Sequence, residues 1–214
     1  MLQKTTKSLF MGTYQYKVVL VSPLAGCFRN KDLDDVIKKI RSSQNAFLSG
    51  GMQLRMRHNS PRSEEDFTYA FDLYKTLKKL DDYIVRIESP FISFYSNNKK
   101  HVDAIIKIEK NNVKYLCSPP EKTELEPGVI FLPKVPYDYK VTIGKTTQQH
   151  DAFLSWADST NKVKITKSCR RMLERNSSWG GGYFYVKGDN MLLMTKMHLG
   201  SSVSKVDRII HTIN

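Results

Sequence analysis

Runs of β-branched residues alternate along the chain with apolar stripes of helical period, and the two periods set the expected elements. Residues 16–22 read YKVVLVS, a run suited to a buried strand, and Pro23 and Gly26 end it. Leu33, Val36, Ile37 and Ile40 then recur at helical spacing. Asn30 is placed to cap that helix. Asp32, Asp34 and Asp35 suit the positive end of its dipole, and Lys38, Lys39 and Arg41 suit the other end. The period then lapses, so residues 42–62 are expected as a long loop around Gly50-Gly51. A second helix opens at Ser63, where Asp66 approximates a capping box and Phe67, Ala70, Phe71, Tyr74 and Leu77 share a face.

Strand alternation returns in 83–88 (YIVRIE) and 91–95 (FISFY), on either side of Ser89-Pro90. A short helix is predicted from Asn98 through Val102, Ile105 and Ile106, and a strand over 113–117. The polar, proline-bearing stretch 118–127 (SPPEKTELEP) is the best boundary. It divides a loosely held arm (1–15) and an N-terminal subdomain (16–126) from a C-terminal subdomain (127–214), unless both halves form one continuous domain.

Beyond the boundary the pattern predicts strands over 129–132 and 139–143. Thr147 opens a helix whose apolar face holds Ala152, Phe153, Trp156 and Ala157, and a strand over 162–166 and a helix over 167–175 follow. A hairpin is expected next: YFYV at 183–186, a turn at Gly188-Asp189-Asn190, and MLLMTKMHL at 191–199. Val203, Val206, Ile209 and Ile210 suggest a closing helix, with a strand as the alternative. This order reads as α+β with mixed or antiparallel sheets and ferredoxin-like, split βαβ pieces. No fixed-period repeat is evident.

Charge changes the picture. Lys and Arg total 34 against 21 acids in 214 residues, leaving a net charge of +13. Such an excess repels itself, and an acidic partner relieves the repulsion; nucleic acid, RNA or DNA, is the expected one. Cys27, Cys117 and Cys169 are odd in number and far apart, which fits a reducing compartment, the cytoplasm or a host cell's cytoplasm. No signal-like segment and no run long enough to span a bilayer is found, so no membrane partner is expected.

The densest cationic stretch is 162–175, KVKITKSCRRMLER, with Lys162, Lys164, Lys167, Arg170, Arg171 and Arg175 against Glu174. Alternation puts Lys162 and Lys164 on one strand face, and helical spacing stacks Arg171 with Arg175. Thr166 or Ser168 is placed to cap the helix, whose free N–H groups suit a phosphate. The competing explanation is a solvated basic face.

Downstream, Trp179 and Gly180–Gly182 lead into Tyr183, Phe184 and Tyr185. Glycine admits close backbone approach to a ligand, and exposed aromatics offer bases a stacking face. Parity assigns Phe184 to the core and Tyr183 and Tyr185 to the opposite face. Gly182, Tyr183, Tyr185 and Val186 match the RNA-recognition strand pattern, whereas Gly181, Phe184 and Gly188 do not, so no family follows from it. Arg55, Arg57 and Arg62 on the expected loop could close over a bound strand. Lys99, Lys100 and His101 begin a helix where the dipole disfavours cations.

Other chemistries lack a signal. The histidines have no ligand spacing for zinc, phosphate-cradling and nucleophile-elbow motifs are absent, and no cofactor or catalytic residue is expected. Cys27 beside Gly26 reads better as core packing than as a nucleophile. The sequence therefore favours a non-enzymatic binder of single-stranded or structured RNA or DNA. Its alternatives are a structural or self-associating component of a virion or ribonucleoprotein, and a metal-dependent nuclease built on Asp81, Asp82 and Glu88 with Lys78 or Lys79.

Overall fold

The computed structural model describes residues 2–29, 32–50, 61, 63–108, 111–120, 125–145, 150–175 and 180–211. Arg55, Arg57, Arg62 and Trp179 lie outside the described residues. The protein combines helices with mixed sheets, an α+β architecture. It divides into two compact units, Met1–Pro120 and Glu121–Asn214.

The first unit contains β1 (Leu2–Thr5), β2 (Tyr16–Val21), α1 (Leu33–Leu48), α2 (Glu64–Leu77), β3 (Tyr83–Glu88), β4 (Phe91–Ser96), α3 (Lys99–Ile108) and β5 (Val113–Ser118). Its sheet runs β1-β5-β2-β4-β3; β1 is parallel to β5 and the remaining neighbours are antiparallel. Val18, Leu20, Ile92 and Phe94 project from one sheet face into a core closed by Val36, Ile40, Phe67, Leu73 and Ile105 of the helices.

In the second unit come β6 (Val129–Phe131), β7 (Tyr139–Ile143), α4 (Asp151–Asp158), β8 (Val163–Ile165), α5 (Lys167–Glu174), β9 (Tyr183–Val186), α6 (Asp189–Leu199) and β10 (Val203–Ile210). The sheet runs β6-β10-β7-β9-β8, with β6 parallel to β10 and the rest antiparallel. Val141, Ile143, Phe184 and Val186 meet Phe153, Leu173 and Leu199 in its core.

The two sheets thus share one strand order and one set of strand directions. Sequence follows suit at a few positions: Tyr-x-Tyr-Lys-Val occupies 14–18 and again 137–141, entering the equivalent strands β2 and β7. Phe94-Tyr95 of β4 is matched by Phe184-Tyr185 of β9, and both phenylalanines stand opposite the valine of the repeated motif. A fixed-period reading misses this repeat because the loops and helices between the matching strands differ, α5 having no counterpart between β3 and β4.

Three expectations need correction. Helix α1 continues to Leu48, because Phe47 extends the buried stripe and packs on Phe67, ring centroids 5.4 Å apart. Its cap is Asp32, whose carboxylate accepts from the Asp34 N–H at 2.9 Å. Residues 189–199 form a helix and not the second strand of a hairpin. Leucine and methionine favour helix, and Met191, Leu192 and Leu199 reach the core. Residues 203–210 form strand β10, placed between β6 and β7, as their β-branched content suits. By contrast Ser63 and Asp66 make the expected capping box, and α3, β7 and β9 fall where expected.

Candidate functional site

All helices of the second unit whose buried residues enter its core, α4, α5 and α6, pack on the sheet face that carries Val141, Ile143, Phe184 and Val186. Strand parity turns the neighbouring residues the other way. On that face, free of helices among the described residues, Lys164 of β8 stands opposite Tyr185 of β9, which stands opposite Lys140 of β7. The next rung holds Tyr183 opposite Thr142, with Lys205 beyond it on β10. Tyr183 and Tyr185 are half-buried, and Lys164 and Lys205 are exposed.

The rings are held in place by one another. Tyr137, just before β7, stacks on Tyr185 with centroids 5.8 Å apart and planes 25° from parallel. Tyr183 meets Tyr185 edge-on at 5.7 Å. The Lys140 ammonium lies 4.4 Å from the centre of the Tyr183 ring, a cation–π geometry. Burial pushes the Tyr185 hydroxyl above its ordinary range, with the neighbouring Tyr183 adding to the effect. Asp207 shares this face, is buried, and is paired with Lys205 at 2.8 Å.

The contiguous basic stretch 162–175 does not stay together as a surface. Lys164 joins the sheet face, and Lys162 lies exposed just ahead of β8. Thr166 caps α5 as expected, its hydroxyl accepting from the Cys169 N–H at 3.4 Å and donating to the Tyr183 carbonyl at 2.7 Å. Cys169 and Leu173 then send α5 into the core, so this helix belongs to the opposite side of the sheet from Tyr185. Lys167, Arg171 and Arg175 are exposed around it. Arg170 donates to Asp158 through both terminal guanidinium nitrogens, Nη1 and Nη2, the bond from Nη1 to Oδ2 being 3.1 Å. That hydrogen-bonded partner holds the Asp158 carboxyl below its usual range and the Arg170 guanidinium above its own.

The glycines before β9 meet local requirements of the fold. A Cβ on Gly180 would come within 2.8 Å of the Gly144 backbone, and one on Gly182 within 2.9 Å of the Met172 side chain. Gly181 has φ +101°, which an L side chain rarely adopts.

Lys140 and Tyr137 are the members of the site that sequence reasoning missed. Lys140 alternates with buried Val141 in YKVTI, which could have exposed it; only the strand register brings it to Tyr185.

No protein-family model matches the chain, and no curated protein or solved structure matches it. The site stands on its own geometry.

Among the described residues no cluster of His, Cys, Asp or Glu could hold a metal ion. The carboxylates of the nuclease alternative are engaged apart from one another: Asp81 lies 3.3 Å from His101 Nε2, and Glu88 pairs with Arg86 at 2.9 Å. Cys27, Cys117 and Cys169 are buried free thiols, and burial pushes Cys169 up to about 12, far from the thiolate that nucleophilic chemistry requires. Among the described residues no helix is long and apolar enough to cross a membrane.

Proposed function

We propose that the second unit binds single-stranded nucleic acid, RNA or DNA, across the helix-free face of its sheet and catalyses no reaction on it. The observation that carries this reading is Tyr185, half-exposed between Lys164 and Lys140 in the strand register. A tyrosine ring stacks on any base, and lysines on either side suit the flanking phosphates. Sheets with aromatic residues on their central strands are a common means of holding splayed-out bases, whereas a paired duplex keeps its base faces stacked internally. The net charge of +13 supplies the long-range attraction.

Support for reading each unit as a ferredoxin-like, split βαβ fold lies in strand order. Omitting the first strand, the sheets run β5-β2-β4-β3 and β10-β7-β9-β8, with helical crossovers between β2 and β3, β4 and β5, β7 and β8, and β9 and β10. That arrangement leaves one sheet face free of helices, as the binding reading requires.

A role in a nucleoprotein assembly is favoured by a different feature. Leu193 and Met197 sit one turn apart on α6 and are 60% and 71% exposed. Gel filtration with light scattering separates the readings: a large, stable oligomer supports assembly, and a monomer that retards labelled oligonucleotide supports binding.

The test of the binding reading is a filter-binding panel of single- and double-stranded RNA and DNA at two salt concentrations. Preference for single strands that weakens steeply with salt is expected. Equal affinity for duplex, or affinity indifferent to salt, would overturn it.

A further inference from the structure

The lysine–tyrosine pair of the second unit has a counterpart in the first. Lys17 of β2 stands opposite Tyr95 of β4, as Lys140 of β7 stands opposite Tyr185 of β9. Tyr14 approaches Tyr95 with centroids 6.5 Å apart, as Tyr137 approaches Tyr185. Both constellations grow from the same Tyr-x-Tyr-Lys-Val motif and lie on the face turned away from their unit's core. The first unit adds further rings and cations there: Lys17 lies 5.7 Å from the Tyr115 ring centre, and Lys4 lies 4.2 Å from it.

The two copies differ in access. Tyr95 is 5% exposed and Tyr14 8%, whereas Tyr137, Tyr183 and Tyr185 are half-buried. Against Tyr95 lies Phe10, centroids 5.6 Å apart and planes 57° from parallel, a ring that covers Tyr95 on the side turned away from the core. Phe10 is presented by a tight turn: its N–H donates to the Tyr14 carbonyl at 2.8 Å, and the Tyr14 N–H returns the bond at 3.0 Å. The turn passes through Met11 at φ 54° and Gly12 at φ 74°. A left-handed methionine, half-exposed and burying little, is a strained way to build a mere connection. The turn is anchored at its base by the Thr6 hydroxyl, which donates to the Gln15 carbonyl at 2.8 Å.

Lys17 remains a cation under this cover. Burial works against its charge, but the Tyr115 and Tyr95 hydroxyls outweigh that and hold its ammonium above the ordinary lysine value. A charged lysine beside a cross-strand tyrosine is the part of the arrangement that both units share.

We propose that the helix-free sheet face of the first unit is a second stacking site for single-stranded nucleic acid, held closed by the Phe10 turn acting as an internal stand-in for a base. The proposal rests on the binding reading given for the second unit. Lifting the turn exposes Tyr95 and Lys17 to a nucleotide, so the chain carries an open site and a latent one.

The test uses the full chain and a short labelled oligouridylate, with stoichiometry and affinity read by calorimetry. Phe10→Ala should double the number of oligonucleotides bound per chain relative to the parent. In a Lys140→Ala, Tyr185→Ala background, where the open site is disabled, adding Phe10→Ala should restore binding. Adding Tyr95→Ala to that chain should remove it again, by about tenfold or more, the size of one stacking contact. Thr6→Val releases the anchor without touching a ring, and it replaces Phe10→Ala should that variant fold poorly. Unchanged stoichiometry with either opening variant, in a parent that itself binds, overturns the latent site and leaves the open one standing. A parent that does not bind and an opening variant that does would overturn the open site and keep the latent one.

Discussion

Tyr185 stands directly opposite Lys140 in the β7–β9 register, both on the sheet face that the helices leave free. Cross-strand neighbours on one face lie roughly 5 Å apart at Cβ, and from there the Lys140 ammonium reaches over the adjoining Tyr183 ring, 4.4 Å from its centre. Under the proposed binding reading, this pair and Lys164 on the far side of the ring are where a base and its flanking phosphates would sit.

Removing the ring should weaken binding more than removing its hydroxyl. Tyr185→Ala is expected to cost about 1–3 kcal/mol in oligonucleotide affinity, and Tyr185→Phe to cost little, because stacking uses the ring face. Fluorescence anisotropy with a labelled single strand measures both.

Lysines at the site should carry salt dependence that α5 does not. Lys140→Ala and Lys164→Ala are each expected to make the log-affinity against log-salt slope shallower by about 0.7, the value for one phosphate on a single strand. Arg170→Ala should leave the slope nearly unchanged, because Asp158 already engages that guanidinium. Salt titrations of the three variants check the contrast.

Within β9 the alternation should separate stability from binding. Phe184 is fully buried against Phe153, centroids 5.2 Å apart, so Phe184→Ala is expected to destabilise the protein by about 3–5 kcal/mol. Tyr183→Ala, on the other face, should lower affinity with a smaller loss of stability. Urea unfolding and oligonucleotide titration of both variants decide it.

His150 gives the second unit a pH response. Burial pushes its pKa down, with Asp151 opposing the shift, so the folded state binds a proton less readily than the unfolded chain. The neutral imidazole's contribution is complete above the unfolded value of about 6.5 and is lost as pH falls through the lower folded value. Unfolding at pH about 7.5 and about 5 should show this loss, and His150→Gln should shrink the difference.

Much of the fold was legible because alternation speaks plainly in short strands. YKVTI and YFYV gave β7 and β9 at their true bounds, and the parity of Phe184 against Tyr183 and Tyr185 is the parity found. The run 189–199 is a helix, as its Met and Leu content favours, but the Gly188-Asp189-Asn190 sequence ahead of it also fits a hairpin turn, which is why the local pattern points to a strand. The site was only partly legible. Proximity along the chain put Lys164 and Arg170 in one basic stretch, whereas the fold sends one to the sheet face and the other to Asp158. Lys140 is remote from Tyr185 in sequence and reaches it only through strand pairing, which no local pattern reveals. The repeat was hidden for a related reason: it survives in Tyr-x-Tyr-Lys-Val and Phe-Tyr, positions that matter to a sheet face, with unlike helices between them.

The proposal that single-stranded nucleic acid lies on the sheet face of the second unit is the central claim, and ultraviolet crosslinking of an oligonucleotide, mapped by mass spectrometry, tests it most directly. Crosslinks at Tyr183 and Tyr185, with none on α5, are the expected result. Crosslinks confined to α5, or to the helix-covered side of the second unit, would contradict the account.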